Sequence, residues 1–215
     1  MAKLQTVHGV YNPACLITMF GAFASCLSIC FSVSELISLS LVALILAGLA
    51  DLFDGYVARK LDLNDFEKAF GVQLDTVVDV VSFVAAPAVI GFAISGGSLW
   101  AIVCIVLFML AGLVRLAHFN TDVGTGHGAV DSHLGLPVTY AALVLPVVLF
   151  PMLFMGPTAF QFVLGAVFLS LAVLFITPVT VPKPRGVFYV LFAVLAVLFV
   201  SLWSWNAISM KWSFV

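Results

Sequence analysis

Seven apolar runs of spanning or near-spanning length alternate with short polar breaks along this 215-residue chain. They cover roughly 14–34, 36–60, 69–95, 98–119, 135–155, 158–177 and 186–206. A helix needs about 20 apolar residues to cross a hydrocarbon slab about 30 Å thick. Inside that slab every backbone N–H and C=O must bond to other protein, which leaves only helices and closed barrels. Runs this long point to helices. Charged residues make up 8% of the chain, against about 25% in soluble domains. The expected fold class is an all-α integral membrane protein. It fills 1–215 as a single transmembrane domain with no room for a separate soluble one.

The breaks and charges give an expected orientation. Tight turns fall at Ser32-Val33-Ser34-Glu35, Ser95-Gly96-Gly97-Ser98 and Gly156-Pro157-Thr158. Longer polar connections, Lys60 to Lys68, Asn120 to His133 and Thr180 to Arg185, lie on the other side. Of the eight basic residues, Lys3, Arg59, Lys60, Lys68, Arg115, Lys183 and Arg185 share the long-loop side, leaving only Lys211 opposite. Positive loops stay inside. The N-terminus and long loops are therefore expected in the cytoplasm of a cell-membrane protein, and an odd number of spans puts Val215 outside. No cleavable signal peptide is evident, and Met1 to Tyr11 reads as a segment lying on the membrane surface. A net charge of −2 gives no reason to expect nucleic acid as a partner. Cys15, Cys26, Cys30 and Cys104 lie in apolar runs and read as small buried hydrophobes.

Four aspartates interrupt this apolar pattern: Asp51 and Asp54 near the end of the second run, Asp75 and Asp79 near the start of the third. Each ionised carboxylate near a bilayer centre costs about 3 kcal/mol on the insertion scale, so cations or a watery cavity must compensate them. At about 1.5 Å per residue, Asp54 and Asp75 lie roughly 9–11 Å below the Lys60/Lys68 edge, and Asp51 and Asp79 roughly 14–17 Å below it. The two helices run antiparallel, so the carboxylates pair by depth. Spacings of three and four residues put each pair on one helix face. The four are expected to converge on a pocket open to the cytoplasm.

Ala47, Gly48, Ala50, Gly55, Ala58 and Gly71 stand three, four or seven residues from these aspartates. Such small residues allow close helix packing; equally, they leave room for something flat to approach the backbone. Arg59 reads either as an anion-holding group at the pocket mouth or as an interfacial cation extended toward water. Clustered carboxylates without an internal Lys or Arg favour hard divalent cations such as Mg²⁺, Mn²⁺ or Ca²⁺. Two such ions balance four charges and suit phosphoryl chemistry.

The string D-L-F-D-G-Y-V-A-R at Asp51–Arg59, followed by G-V-Q-L-D-T-V-V-D at Gly71–Asp79, resembles the signature of the CDP-alcohol phosphotransferases. All eight fixed positions of D-x-x-D-G-x-x-A-R and G-x-x-x-D-x-x-x-D occur in order. The spacer, Lys60 to Phe70, is longer than usual for that pattern and is read as a bulging loop carrying Asp62, Asp65 and Glu67. D-V-V-S-F-V-A-A-P-A at Asp79–Ala88, V-R-L-A-H-F-N at Val114–Asn120 and G-L-P-V-T at Gly135–Thr139 resemble the phosphatidylserine synthase branch. His118 stands where that branch often has a second arginine. The resemblance covers roughly 40–185.

This resemblance implies a six-helix catalytic bundle, with the seventh run as an extra C-terminal transmembrane helix, and assembly as a homodimer. It implies two divalent ions, Mg²⁺ or Mn²⁺ with Ca²⁺ as a substitute, held by Asp51, Asp54, Asp75 and Asp79. Asp79 doubles as general base. Gly55, Ala58, Arg59 and Gly71 accommodate the cytidine diphosphate part of CDP-diacylglycerol. L-serine is the implied acceptor, with Arg115 and Asn120 as candidates for binding its charged groups. Two rival readings stand beside it: the same chemistry on glycerol 3-phosphate or an inositol phosphate, and an ion-coupled transporter using intramembrane carboxylates. Few spare cations are available for a phosphorylated acceptor. Neither repeated halves nor correspondingly broken helices favour the transporter. His127 and His133, with Asp122 and Asp131, have no spacing of a known metal site and read as a solvated loop or a substrate lid.

Overall fold

The computed structural model describes residues 9–125, 132–178, 180–182 and 187–209. The seven runs form seven helices: α1 Pro13–Val33, α2 Ile37–Ala58, α3 Asp65–Ala93, α4 Leu99–Thr125, α5 Ala141–Met152 entered through a 3-10 turn at Val138–Tyr140, α6 Pro157–Ile176 and α7 Val187–Ser209. All but α5 carry a stretch long and apolar enough to cross a membrane. The protein is an all-α, multi-pass membrane protein.

The exterior is inverted relative to a soluble protein. Leu16, Met19, Phe20 and Phe23 of α1, and Val103, Val106, Leu107 and Leu110 of α4, are exposed at helical spacing. Cys26 and Cys30 belong to this outward stripe of α1, whereas Cys15 and Cys104 are buried. The expectation of four buried cysteines thus fails for two, because in lipid an apolar residue needs no interior position. Inside, Leu41, Leu44, Ile90, Phe108, Leu145, Leu149, Leu164, Phe168 and Phe175 build the core.

Polar contacts also join the helices. On α1, Ser25 donates to Ser82 of α3 at 2.6 Å, while Ser28 and Ser32 meet Ser40 of α2 at 3.0 and 2.7 Å. Lipid tails give helices no hydrophobic reason to associate, so packing and hydrogen bonds, each about 0.6 kcal/mol on average, hold the bundle. At the other end of the chain, the Trp203 indole N–H donates to the Pro146 carbonyl at 3.2 Å, and the Asn206 amide donates to Ser38 at 2.9 Å. These two bonds fasten α7 to α5 and α2.

Four departures from the sequence expectations bear on the site. First, α3 begins at Asp65, with Asn64 and Glu67 forming a reciprocal capping box. Asp65 and Glu67 therefore lie on the first helical turn, where carboxylates favour the helix dipole, and not on a bulging loop. Second, α3 opens into a π turn at Val80–Ala85, directly after Asp79, where the Ala86 N–H bonds to the Val81 carbonyl. Pro87 follows and has no N–H to return to Phe83, which removes one α-type bond at this place.

Third, the run at 135–155 is not helical throughout. The 3-10 turn and α5 together reach about 22 Å, less than the hydrocarbon thickness of about 30 Å. Gly135 has φ +84°, and Pro137 is extended at φ −61°, ψ 142°. Residues 135–137 thus form a strap leading into α5. Fourth, two of the long connections pair as a short antiparallel ribbon, β1 Ser132–Leu134 with β2 Thr180–Pro182, in the register His133 to Val181. Strands of three residues leave no readable periodicity.

Candidate active site

The lower halves of α2 and α3 carry the aspartates toward one another. Asp51, Asp54 and Asp75 each offer a carboxylate oxygen, and these oxygens all lie within 4.8 Å of one another. Asp54 is 7% exposed, and its Oδ2 accepts a 2.6 Å hydrogen bond from Thr18 of α1. Asp79 stands outside this tight trio, but it lines the same small space with all three. Hard oxygen donors in this number and spacing fit a divalent cation.

Three larger cavities open onto this cluster. The first, about 340 Å³, lies between the start of α1, the end of α2 and the start of α3; Asp54, Asp75, Gly55, Ala58, Arg59 and Gly71 line it. The second, about 250 Å³, runs from Asp51, Gly55 and Arg59 to an apolar wall of Phe192, Leu195, Ala196 and Phe199 on α7. The third, about 200 Å³, is lined by Asp51, Asp75, Asp79, Arg115, Phe119 and the residues 137–139.

The small residues divide into two sets. A Cβ on Gly48 would meet Ala142 at 3.0 Å, and one on Gly21 would meet Ala50 at 3.2 Å; Ala47 and Ala50 are buried. These serve helix packing. A Cβ on Gly71 would meet nothing within 4 Å, and one on Gly55 only the Arg59 guanidinium at 3.5 Å. Protein packing does not demand a glycine at either place, and both face the first cavity. Of the two readings left open by spacing, the packing one holds around Gly48 and the open-space one around Gly55 and Gly71. Arg59 is exposed and borders both the first and the second cavity.

Arg115 departs from its expected setting. It is not at the helix end but well inside α4, only 6% exposed, against the expectation that no internal cation lies near the aspartates. The sequence placed α4's end too early, at 119, because the polar residues after it looked like loop. The guanidinium donates from Nε to the Leu136 carbonyl and from Nη2 to the Gly135 carbonyl, both at 3.3 Å. Asn120 does not line the third cavity. Its amide donates to Thr76 Oγ1 at 2.8 Å, tying α4 to the helix that carries Asp75. The residues that sequence reasoning missed are Thr18, Pro137 and Thr139, together with the α7 wall. Pro137 and Thr139 lie inside the G-L-P-V-T string, and Thr18 lies in the first apolar run, but nothing in their spacing shows contact with a carboxylate or a cavity. The backbone of His133 lies in β1; the side chains of Asp122 and His133, and all of His127, Asp131, Lys183 and Arg185, fall outside the described residues.

Comparison with known proteins identifies the family. The sequence model of the CDP-alcohol phosphatidyltransferase family matches residues 11–178. The archaetidylserine synthase of Methanothermobacter thermautotrophicus is 30% identical over 80% of this chain and 70% of its own length. The CDP-diacylglycerol–serine O-phosphatidyltransferase of Saccharomyces cerevisiae is 37% identical over 44% of this chain and 36% of its own. That of Methanocaldococcus jannaschii is 35% identical over 60% of this chain and 56% of its own. The alignments thus span from about a third to just over two thirds of these relatives. The family match covers all four aspartates and the three cavities' lining as far as α6, so the chain belongs to the CDP-alcohol phosphatidyltransferase family.

Proposed function

We propose that this protein transfers a phosphatidyl group from CDP-diacylglycerol to the hydroxyl of L-serine, giving phosphatidylserine and CMP. The observation that carries the reading is the meeting of three cavities at one carboxylate cluster. A transfer between two bulky partners needs separate spaces for donor head, donor tail and acceptor that open on a shared reacting centre. The names of the similar proteins favour serine as acceptor.

The first cavity takes the cytidine diphosphate part, where Gly55, Ala58 and Gly71 leave room and Arg59 faces the phosphates. The second, apolar toward α7, takes lipid tail. The third takes serine beside Arg115, whose charge suits the carboxylate; Asn120 supports this wall through Thr76. Asp51, Asp54, Asp75 and Asp79 hold Mg²⁺ or Mn²⁺, with Ca²⁺ as a substitute. When bound, such ions neutralise charge on the phosphates. Asp79 takes the proton from the serine hydroxyl, because an alcohol is a weak nucleophile near neutral pH. The serine oxygen then bonds to the phosphorus bearing the lipid, the bond from that phosphorus to the bridging oxygen breaks, and CMP leaves with the electron pair.

The reading takes 1–215 as one catalytic domain, in a cell membrane, with the cluster facing the cytoplasm as the charge bias suggests. The homodimer rests on the family resemblance. The test is CMP release by the purified full-length protein from CDP-diacylglycerol, with and without serine and with and without Mn²⁺. Release that needs both is the expected result. Release with glycerol 3-phosphate but not serine would replace the acceptor, and none with any alcohol would overturn the reading.

A further inference from the structure

The second and third cavities share only three lining residues: Asp51, Pro137 and Thr139. These residues form the partition between the space assigned to lipid tail and the space assigned to serine. Pro137 has no side-chain hydrogen-bonding group, and ionised Asp51 only accepts. Among the described residues Thr139 therefore supplies the side-chain donor that borders both spaces.

The hydroxyl of Thr139, like those of half-buried Ser98 and Ser204, lacks the backbone bond that many helical hydroxyls make here. Those of Thr76, Thr121, Ser170, Thr177 and Ser201 all donate to the carbonyl four residues earlier. That habit satisfies a hydroxyl in apolar surroundings, where an unpaired one is costly. Thr139 sits in the 3-10 turn after the strap, and the carbonyl four residues earlier, that of Gly135, receives Arg115 instead. Among the described residues the Thr139 hydroxyl has no hydrogen-bond partner, although the residue is half-buried at the partition.

The turn that presents Thr139 is held firmly. Arg115 grips the carbonyls of Gly135 and Leu136 from α4, and the Leu136 N–H donates to the Leu174 carbonyl of α6 at 3.1 Å. Gly135 adopts φ +84°, and a Cβ there would press on the Phe175 carbonyl at 3.0 Å and on Arg115 Nε at 3.1 Å. A donor fixed in advance beside a reacting phosphoryl group costs no reorganisation when charge develops. In phosphoryl transfer that charge resides on the non-bridging oxygens.

We propose that Thr139 Oγ1 donates a hydrogen bond to a non-bridging oxygen of the phosphoryl group in transit between the two cavities, with Arg115 acting through the strap as a positioning residue. Thr139 keeps its proton throughout, and only Asp79 exchanges one. The proposal rests on the transferase reading above and adds to it a neutral donor at the wall shared by the second and third cavities.

The test compares wild-type protein with Thr139→Val, which keeps shape and removes the donor, and Thr139→Ser, which keeps the donor. CMP release is measured at saturating Mn²⁺ over a range of serine and CDP-diacylglycerol concentrations. Thr139→Val is expected to lower kcat by about 10²-fold, with both KM values near wild type, while Thr139→Ser stays within a few-fold of wild type. A CDP-lipid carrying sulfur in place of a non-bridging oxygen on the lipid-bearing phosphorus adds a readout that a packing defect would not move. One diastereomer should slow the wild type and Thr139→Ser but lose that penalty in Thr139→Val. Wild-type turnover in Thr139→Val overturns the proposal, as does a thio penalty equal in all three proteins. Should the valine variant not fold, a thio penalty absent from both wild type and Thr139→Ser overturns it equally. A wild type that releases no CMP with any alcohol defeats the transferase reading instead. Activity with a different alcohol leaves the Thr139 comparison intact, since the contact is to the donor.

Discussion

Glycines in the helix seams and glycines at the first cavity do opposite work. Away from the aspartates, a Cβ on Gly91 would collide with the ring of Phe168, which is wholly buried, and one on Gly112 would lie 2.8 Å from Val84. At the first cavity, a Cβ on Gly71 would meet nothing within 4 Å and one on Gly55 only the Arg59 guanidinium at 3.5 Å. The first set lets helices touch. The second keeps them from filling a cavity. The same residue type therefore reports tight assembly in one place and room for a ligand in another, and only the neighbours across the gap distinguish the two.

The largest expected effect comes from the centre that the first cavity opens onto. Asp79→Asn should reduce CMP release by about 10²–10⁴-fold while sparing CDP-diacylglycerol binding, measured by equilibrium binding of a labelled lipid. Retained turnover would remove Asp79 as base. Next is the support behind the cluster. Thr18→Val deletes the bond to Asp54 and should weaken Mn²⁺ activation by about 10–100-fold, read from the metal dependence of the rate. An unchanged metal requirement would make that bond purely structural.

The glycines themselves give a prediction of sign. Gly91→Ala should destabilise the fold by about 1–3 kcal/mol through overpacking. Gly71→Ala should stabilise it by about 0.5–1 kcal/mol, because a helix interior prefers alanine and nothing opposes the methyl. Denaturant unfolding in micelles measures both, and equal signs would erase the contrast between the two sets. The smallest effect is at the rim. Asn64→Ala removes the capping box of α3 and should cost about 1 kcal/mol with little change in turnover.

Much of this was legible in the chain. Seven helices and the convergence of the aspartates followed from apolar run length and from spacings of three and four, since both depend only on local helical geometry. The tight turns also fell as read, with Glu35, Gly96 and Gly97 at positive φ. Long-range partners were not legible. Nothing around Arg115 shows that it binds carbonyls twenty residues later, or that the strap there stays extended long enough to leave α5 short. The separation of Gly48 from Gly55 needed Ala142 in place. The capping box is present in the chain as N-x-x-E at Asn64–Glu67, but it precedes the apolar run, which begins only at 69, so run length alone does not show it.

The π turn of α3 carries one further implication. A wider turn takes in an additional residue, so it resets which side of the rod faces inward. Above it, Ile90 is buried in the core and Gly91 packs against Phe168; below it, Asp75 and Asp79 answer to the cavities. Excising a single residue from 80–85 would restore the regular winding and swing one segment by about 100° against the other. The anchoring and reacting portions of this span are thus phased separately. Insertions or deletions there should be far less tolerated than point changes of equal bulk.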